Sequence, residues 1–204
     1  MLYEIIDEEG NVHSYELKPR LGTKGSFPGR AAGEQLPYFE LNTEQVVWAG
    51  VQPQTTLITS HDLVREQPLV VAFHCECWGA YAPKIMEALI TLNEQLISRG
   101  ARLLVLTQEP VKRLKKLVEH QPLAFDISYD EGYRIATQLG VYLEDRPVWD
   151  RVAGISEDVY YPGLFLVDQD GLIQNVQVDQ DFEMKWDFPA LLDTLAQVQA
   201  GALV

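Results

Sequence analysis

The sequence is poor in sulfur and in positive charge, and no apolar run in it is long. Two cysteines, Cys75 and Cys77, occur in 204 residues. That number excludes the disulfide framework of a small secreted scaffold. Lysine and arginine total 16 against 30 acidic residues, a net charge of -14. An acidic surface repels phosphate backbones and anionic lipid headgroups, which argues against nucleic acid and membranes as main partners. No apolar stretch approaches the roughly 20 residues that a spanning helix needs. The start, Met1 to Asp7, carries acid early and has no apolar core of the signal-peptide kind, so the expected location is cytoplasmic. Histidine is scarce: His13, His61 and His120 are scattered and read as surface residues, which leaves His74 alone beside the cysteines. There is no internal repeat and no low-complexity tract.

Composition is otherwise that of a globular chain, 47% apolar and 23% charged, long enough for one domain with an added segment. Tyr3 to Asp7 and Val12 to Leu17 read as strands joined by an acidic Gly turn, a hairpin. Leu21 to Gly33 is Gly-rich, but its spacing is not that of a phosphate-binding loop, so it reads as a linker. The boundaries expected are residues 1–33 for hairpin and linker and 34–204 for the main domain. There, strand and helix signals alternate. Short strands are expected at Val46 to Trp48 and Thr55 to Thr59. The buried run Leu69 to Cys75 is followed by a helix from Pro83 to Ser98, apolar at Ile85, Met86, Leu89, Ile90, Leu92, Leu96 and Ile97. A strand at Ala101 to Thr107 and a helix at Val111 to His120 come next. The helix turns Val111, Leu114, Leu117 and Val118 inward and a solvated basic face outward. Ala124 to Ile127 is a strand, Glu131 to Leu139 a helix, and Val141 to Glu157 a long connection. Leu164 to Val167 and Leu172 to Val178 form a hairpin, and Asp187 to Val198 a last helix. This order predicts an α/β fold with a mixed central sheet and helices on both faces, plus the N-terminal β-hairpin extension.

Leu36-Pro37-Tyr38-Phe39-Glu40-Leu41, the stretch Asp126 to Asp130 and the stretch Tyr161 to Gly171 together resemble the alkyl hydroperoxide reductase / thiol-specific antioxidant group, the peroxiredoxin-like redoxins of the thioredoxin-like superfamily. Leu36-Pro37-Tyr38-Phe39-Glu40-Leu41 resembles the family's Pro-x-Phe-x-Leu opening. Asp126 to Asp130, followed by Ala136 and Leu139-Gly140-Val141, resembles its Asp-Pro and Ala-x-x-Phe-Gly-Val stretch. Tyr161-Pro162-Gly163-Leu164-Phe165-Leu166-Val167-Asp168 and Asp170-Gly171 resemble its Pro-led buried strand and acidic turn. The resemblance spans about Gly33 to Val198. It implies a thioredoxin-like fold and a site where the buried strand meets the helix. Against the branch pattern Phe-Tyr-Arg-Gly-Gly-Trp-Cys-Pro-Tyr-Cys, this chain keeps Phe73, Trp78 and Tyr81 but has Gly79 and Ala82 at the two thiol positions. The resemblance also implies a cis Tyr161-Pro162 bond beside Trp78 and Tyr81.

The chain's own thiols stand just upstream, on the strand. In an extended strand Cys75 and Cys77 share a face with Cα atoms about 6.6 Å apart, near the roughly 6.8 Å limit for a disulfide. A bond between them therefore needs the strand end to bend, and it would be strained and easily reduced. Three readings stand. The cysteines are small buried apolar residues. Or Cys77 is a relocated nucleophile that Cys75 resolves. Or both join His74 on a metal, which strand alternation disfavours by turning His74 away; Glu76 shares that His74 face. The second reading is a thiol-dependent oxidoreductase acting on a disulfide or a peroxide, with no metal or cofactor. The alternative is a catalytically inactive pseudo-redoxin that binds a protein or peptide over Trp78, Gly79, Tyr81 and Pro162. The hairpin's edges are a further expectation, as an arm for homodimer formation.

Overall fold

The structure, a computed structural model, describes residues 2–6, 12–16, 29–120, 122–148, 155 and 158–201. β1 (Leu2–Ile6) and β2 (Val12–Glu16) pair antiparallel, with Leu2 opposite Glu16 and Ile6 opposite Val12. This is the expected hairpin, with β1 starting one residue earlier. Its turn and linker residues 17–28 lie outside the described residues.

The main domain runs β3 (Glu40–Asn42), β4 (Val46–Val47), β5 (Leu57–Thr59), α1 (Ser60–Val64), β6 (Leu69–His74), α2 (Ala82–Ser98), β7 (Arg102–Thr107), α3 (Val111–His120), β8 (Asp126–Tyr129), α4 (Arg134–Leu139), β9 (Gly163–Val167), β10 (Ile173–Val178) and α5 (Phe188–Gly201). Six strands make one sheet in the order β10-β9-β6-β7-β8-β4. β6, β7 and β8 are parallel, and β9, β10 and β4 run antiparallel to their neighbours. The mixed sheet is the one predicted. All six residues of β6 are buried, which requires cover on both faces because alternate side chains point to opposite sides. α2 supplies part of it: Ile85, Met86, Leu89, Leu92 and Leu96 are buried at helical spacing. Ile97, grouped with them by periodicity, is exposed.

Three local departures have local causes. β5 pairs with β3 outside the main sheet and runs into α1, a helix absent from the sequence reading. Thr59 and Asp62 form a reciprocal capping box at its start. The helix expected over Glu131 to Leu139 is broken: a 3-10 turn, Glu131–Tyr133, precedes α4 because Gly132 and Tyr133 adopt left-handed φ of 62° and 59°. The buried Asp130 carboxylate then accepts the N–H groups of Ile135 and Ala136, each at 2.9 Å. α4 ends at Gly140, whose φ of 78° suits glycine and whose open side admits Gly29; any side chain there collides with the Gly29 backbone.

Candidate active site at the carboxyl end of the sheet

The parallel strands β6, β7 and β8 end together at His74, Thr107 and Tyr129, and the crevice beyond such ends is where open α/β sheets bind ligands. Cys75 and Cys77 follow β6 directly. Cys75 is still extended, and it caps a 3-10 turn over Glu76–Tyr81. That turn is the bend the disulfide required: the Cα atoms are 5.1 Å apart and the two sulfurs are bonded to each other. Cys75 is 2% exposed and Cys77 is half-buried, so Cys77 is the more accessible residue of the pair.

Gly79 kinks the turn from within with φ 57° and ψ −122°, a backbone geometry that a side chain resists. The residue standing at a family thiol position is therefore the one that lets the chain turn into α2. Ala82, at the other, is the first residue of α2 and is 5% exposed. His74 Nε2–H donates to the Ala82 carbonyl at 3.1 Å, which ties the strand end to the helix start. Burial lowers the His74 pKa from 6.5 to about 4, against a smaller opposing effect of that hydrogen bond. The imidazole is thus neutral at pH 7 with its Nε2–H committed to Ala82, and the two sulfurs of the metal reading are bonded to each other.

Tyr160 braces the same corner. Its hydroxyl donates to the His74 carbonyl at 2.6 Å, and burial pushes its pKa well above 10. Trp78 is fully buried, its Nε1–H donates to the Tyr160 carbonyl at 3.1 Å, and its ring meets those of His74, Tyr160 and Phe182 edge-on. Tyr81 is half-buried and also meets Phe182. Pro162 is buried, and its carbonyl accepts the Asp179 N–H at 2.9 Å. The expected cis bond before it is not there: Tyr161-Pro162 is trans. The Tyr161 N–H already reaches the Val141 carbonyl, and the chain enters β9 without a reversal. Trp78 and Pro162 are therefore covered, where an open groove floor had been expected. Glu76 faces α3, and its carboxylate meets Arg113 at 2.5 Å, which also holds Glu109 at 3.1 Å.

The match to the AhpC/TSA family model extends over residues 32–176. The chain belongs to the AhpC/TSA family. No curated protein matches it. Among solved structures, Mycobacterium tuberculosis AhpC aligns at TM-score 0.62 and 20% identity, over 87% of this chain and 97% of that one. The mitochondrial 2-Cys peroxiredoxin of Plasmodium falciparum aligns at 0.61 and 12%, over 82% and 94%. Enterococcus faecalis AhpC aligns at 0.62 and 14%, over 84% and 93%. At these identities the likeness is one of fold, the thioredoxin-like fold expected. Membership of the AhpC/TSA family supports thiol-dependent, peroxidase-like function in general. The family segment leaves out the N-terminal hairpin and α5.

Sequence reasoning missed Phe182, Tyr160 and the Glu76–Arg113–Glu109 cluster. Tyr160 adjoins the recognised Tyr161-Pro162 pair, which is a usable signal. Phe182 stands between Asp181 and Glu183 in a segment outside the predicted strands and helices, and no periodicity points to it.

Proposed function

We propose that this AhpC/TSA-family protein is a thiol-disulfide oxidoreductase working through Cys75 and Cys77. The observation that carries this is the bonded pair at the strand ends, with Cys77 partly exposed and Cys75 buried. An incoming thiolate reaches Cys77 first. In the reduced protein the Cys77 thiolate attacks a substrate disulfide. One substrate sulfur leaves and takes a proton, and a mixed disulfide remains. Cys75 then loses its proton, attacks Cys77, and releases the second substrate thiol.

Peroxide is the other substrate of this chemistry. Cys77 would take one oxygen as the O–O bond breaks, and the alcohol would leave with a proton. Cys75 would then close the disulfide with loss of water. A disulfide substrate is favoured because the start of α2, where free N–H groups and the helix dipole best stabilise a thiolate, holds Ala82. The binding-only alternative needs an open groove over Trp78 and Pro162, and both are buried in this conformation, Trp78 against the Phe182 ring.

The test is dithiol-dependent reduction of insulin, run beside peroxide consumption, with wild type, Cys77→Ser and Cys75→Ser. Wild type turns over insulin, Cys77→Ser falls to the buffer rate, and Cys75→Ser accumulates a mixed disulfide visible by mass. Equal rates for wild type and Cys77→Ser remove the proposal.

A further inference from the structure

Phe182 lies between β10 and α5, on the segment that covers the site. It is 3% exposed, and its ring stands edge-on to Trp78 at 5.6 Å and edge-on to Tyr81 at 5.3 Å. Cys77 is the residue before Trp78. We propose that Phe182 is a tethered occupant of the exchange pocket, and that the polypeptide which exchanges thiols with the Cys75–Cys77 pair, in either direction, presents an aromatic side chain beside its reactive sulfur. This rests on the oxidoreductase reading above.

The segment from Asp179 to Asp187 is fastened by a polar clasp outside the sheet. The Asp179 carboxylate accepts the N–H groups of Glu183 at 3.1 Å and Met184 at 2.7 Å. At the far end the Gln177 side chain accepts the Asp187 N–H at 2.7 Å and donates to its carbonyl at 2.8 Å. β10 ends at Val178 and α5 begins at Phe188, so the segment can swing without unzipping a strand or a helix. Inside the clasp the fit is poor. Phe182 and Met184 both hold left-handed backbone, at φ 54° and 57°, which a Cβ disfavours. Among the described residues the buried Trp186 Nε1–H has no hydrogen-bond partner. A cavity of about 540 Å³, lined by Val176, Asp179, Lys185 and Trp186 among others, lies against the segment. Opening relieves the backbone, lets the indole N–H reach water, and vacates a slot walled by an indole and a phenol. Those walls suit a phenyl ring, because edge-on aromatic contacts add to the area term.

In the step served, a peptide thiolate attacks Cys77 Sγ, and Cys75 leaves as thiolate and takes a proton from water. The second peptide thiol loses a proton and attacks the mixed disulfide, releasing Cys77. One dithiol is oxidised and one disulfide reduced.

The test uses the oxidised full chain and two reduced peptides, Gly-Phe-Cys-Gly-Pro-Cys-Gly and its counterpart with Ala for Phe, with protein thiols counted over time. Asp179→Ala releases the clasp. There the Phe peptide reacts about fivefold faster than with wild type, the gain one aromatic contact supplies, while the Ala peptide and dithiothreitol stay within about twofold. Phe182→Ala shows the same selective gain, and if it fails to fold, Asp179→Ala decides alone. Equal acceleration of both peptides, or none, overturns the pocket while leaving the oxidoreductase reading intact. A serine version of the Phe peptide that binds Asp179→Ala by calorimetry, with no thiols released by any reductant, supports the pocket and removes the oxidoreductase reading.

Discussion

His74 ends β6 with 4% exposure, and burial lowers its pKa from 6.5 to about 4. The folded protein holds the imidazole neutral, while the unfolded chain takes up a proton below pH 6.5. Stability from this group is full above pH 6.5 and is lost as pH falls toward 4, a difference of about 3 kcal/mol. The raised pKa of buried Asp130 acts in the opposite sense, so the comparison must be made within one variant pair. Urea midpoints at pH 7 and 4.5 should converge in His74→Gln relative to wild type. Ala82→Cys tests the family thiol position itself: the new sulfur stands in the first turn of α2, where helix N–H groups favour thiolate. Absorbance at 240 nm should show it ionising below the ordinary thiol value of about 8.5. An ordinary titration curve would mean that the helix start no longer supports a thiolate. Cys75 and Cys77 were legible as a pair from spacing alone. The burial of one and the accessibility of the other were not, because the 3-10 turn that separates them is set by Gly79 and by packing on Trp78.

Element types were legible wherever periodicity was strong, and boundaries were not. β8 starts at Asp126, two residues past the expected Ala124, and Asp126 pairs with Leu104. Its carboxylate is fixed by Arg102 at 2.6 Å and by the Ala49 N–H at 3.0 Å, partners remote in sequence. α1 was missed because five residues give too short a window for periodicity, although the Thr59 and Asp62 capping pair was present to be read. The 3-10 turn carries its own prediction. A Cβ on Gly79 meets nothing within 4 Å, so Gly79→Ala costs only backbone strain. The expected loss is about 1–3 kcal/mol in urea unfolding, with slower reduction of the Cys75–Cys77 bond by dithiothreitol. Unchanged stability would show that the kink is not demanded by the fold.

Among the described residues β1 and β2 pair only with each other, whereas Arg30 and Gly33 hydrogen-bond to Leu139 and Ile173 of the main domain. Deleting residues 1–28 should therefore shift the melting temperature by less than about 4 °C, the effect of roughly 1 kcal/mol in a chain of this size. A larger drop would make the hairpin part of the core. Sedimentation of the same truncated chain reads the dimer arm: a dimer that becomes a monomer supports it, and an unchanged state removes it. Alternating apolar runs determined the mixed α/β sheet by themselves, because strand and helix periods are local and burial on both faces of β6 is written in its residues. The trans Tyr161-Pro162 bond and the Phe182 cover over Trp78 were decided only in three dimensions. Each depends on contacts between segments far apart in the chain, and no pattern within one segment encodes which distant surface it will meet.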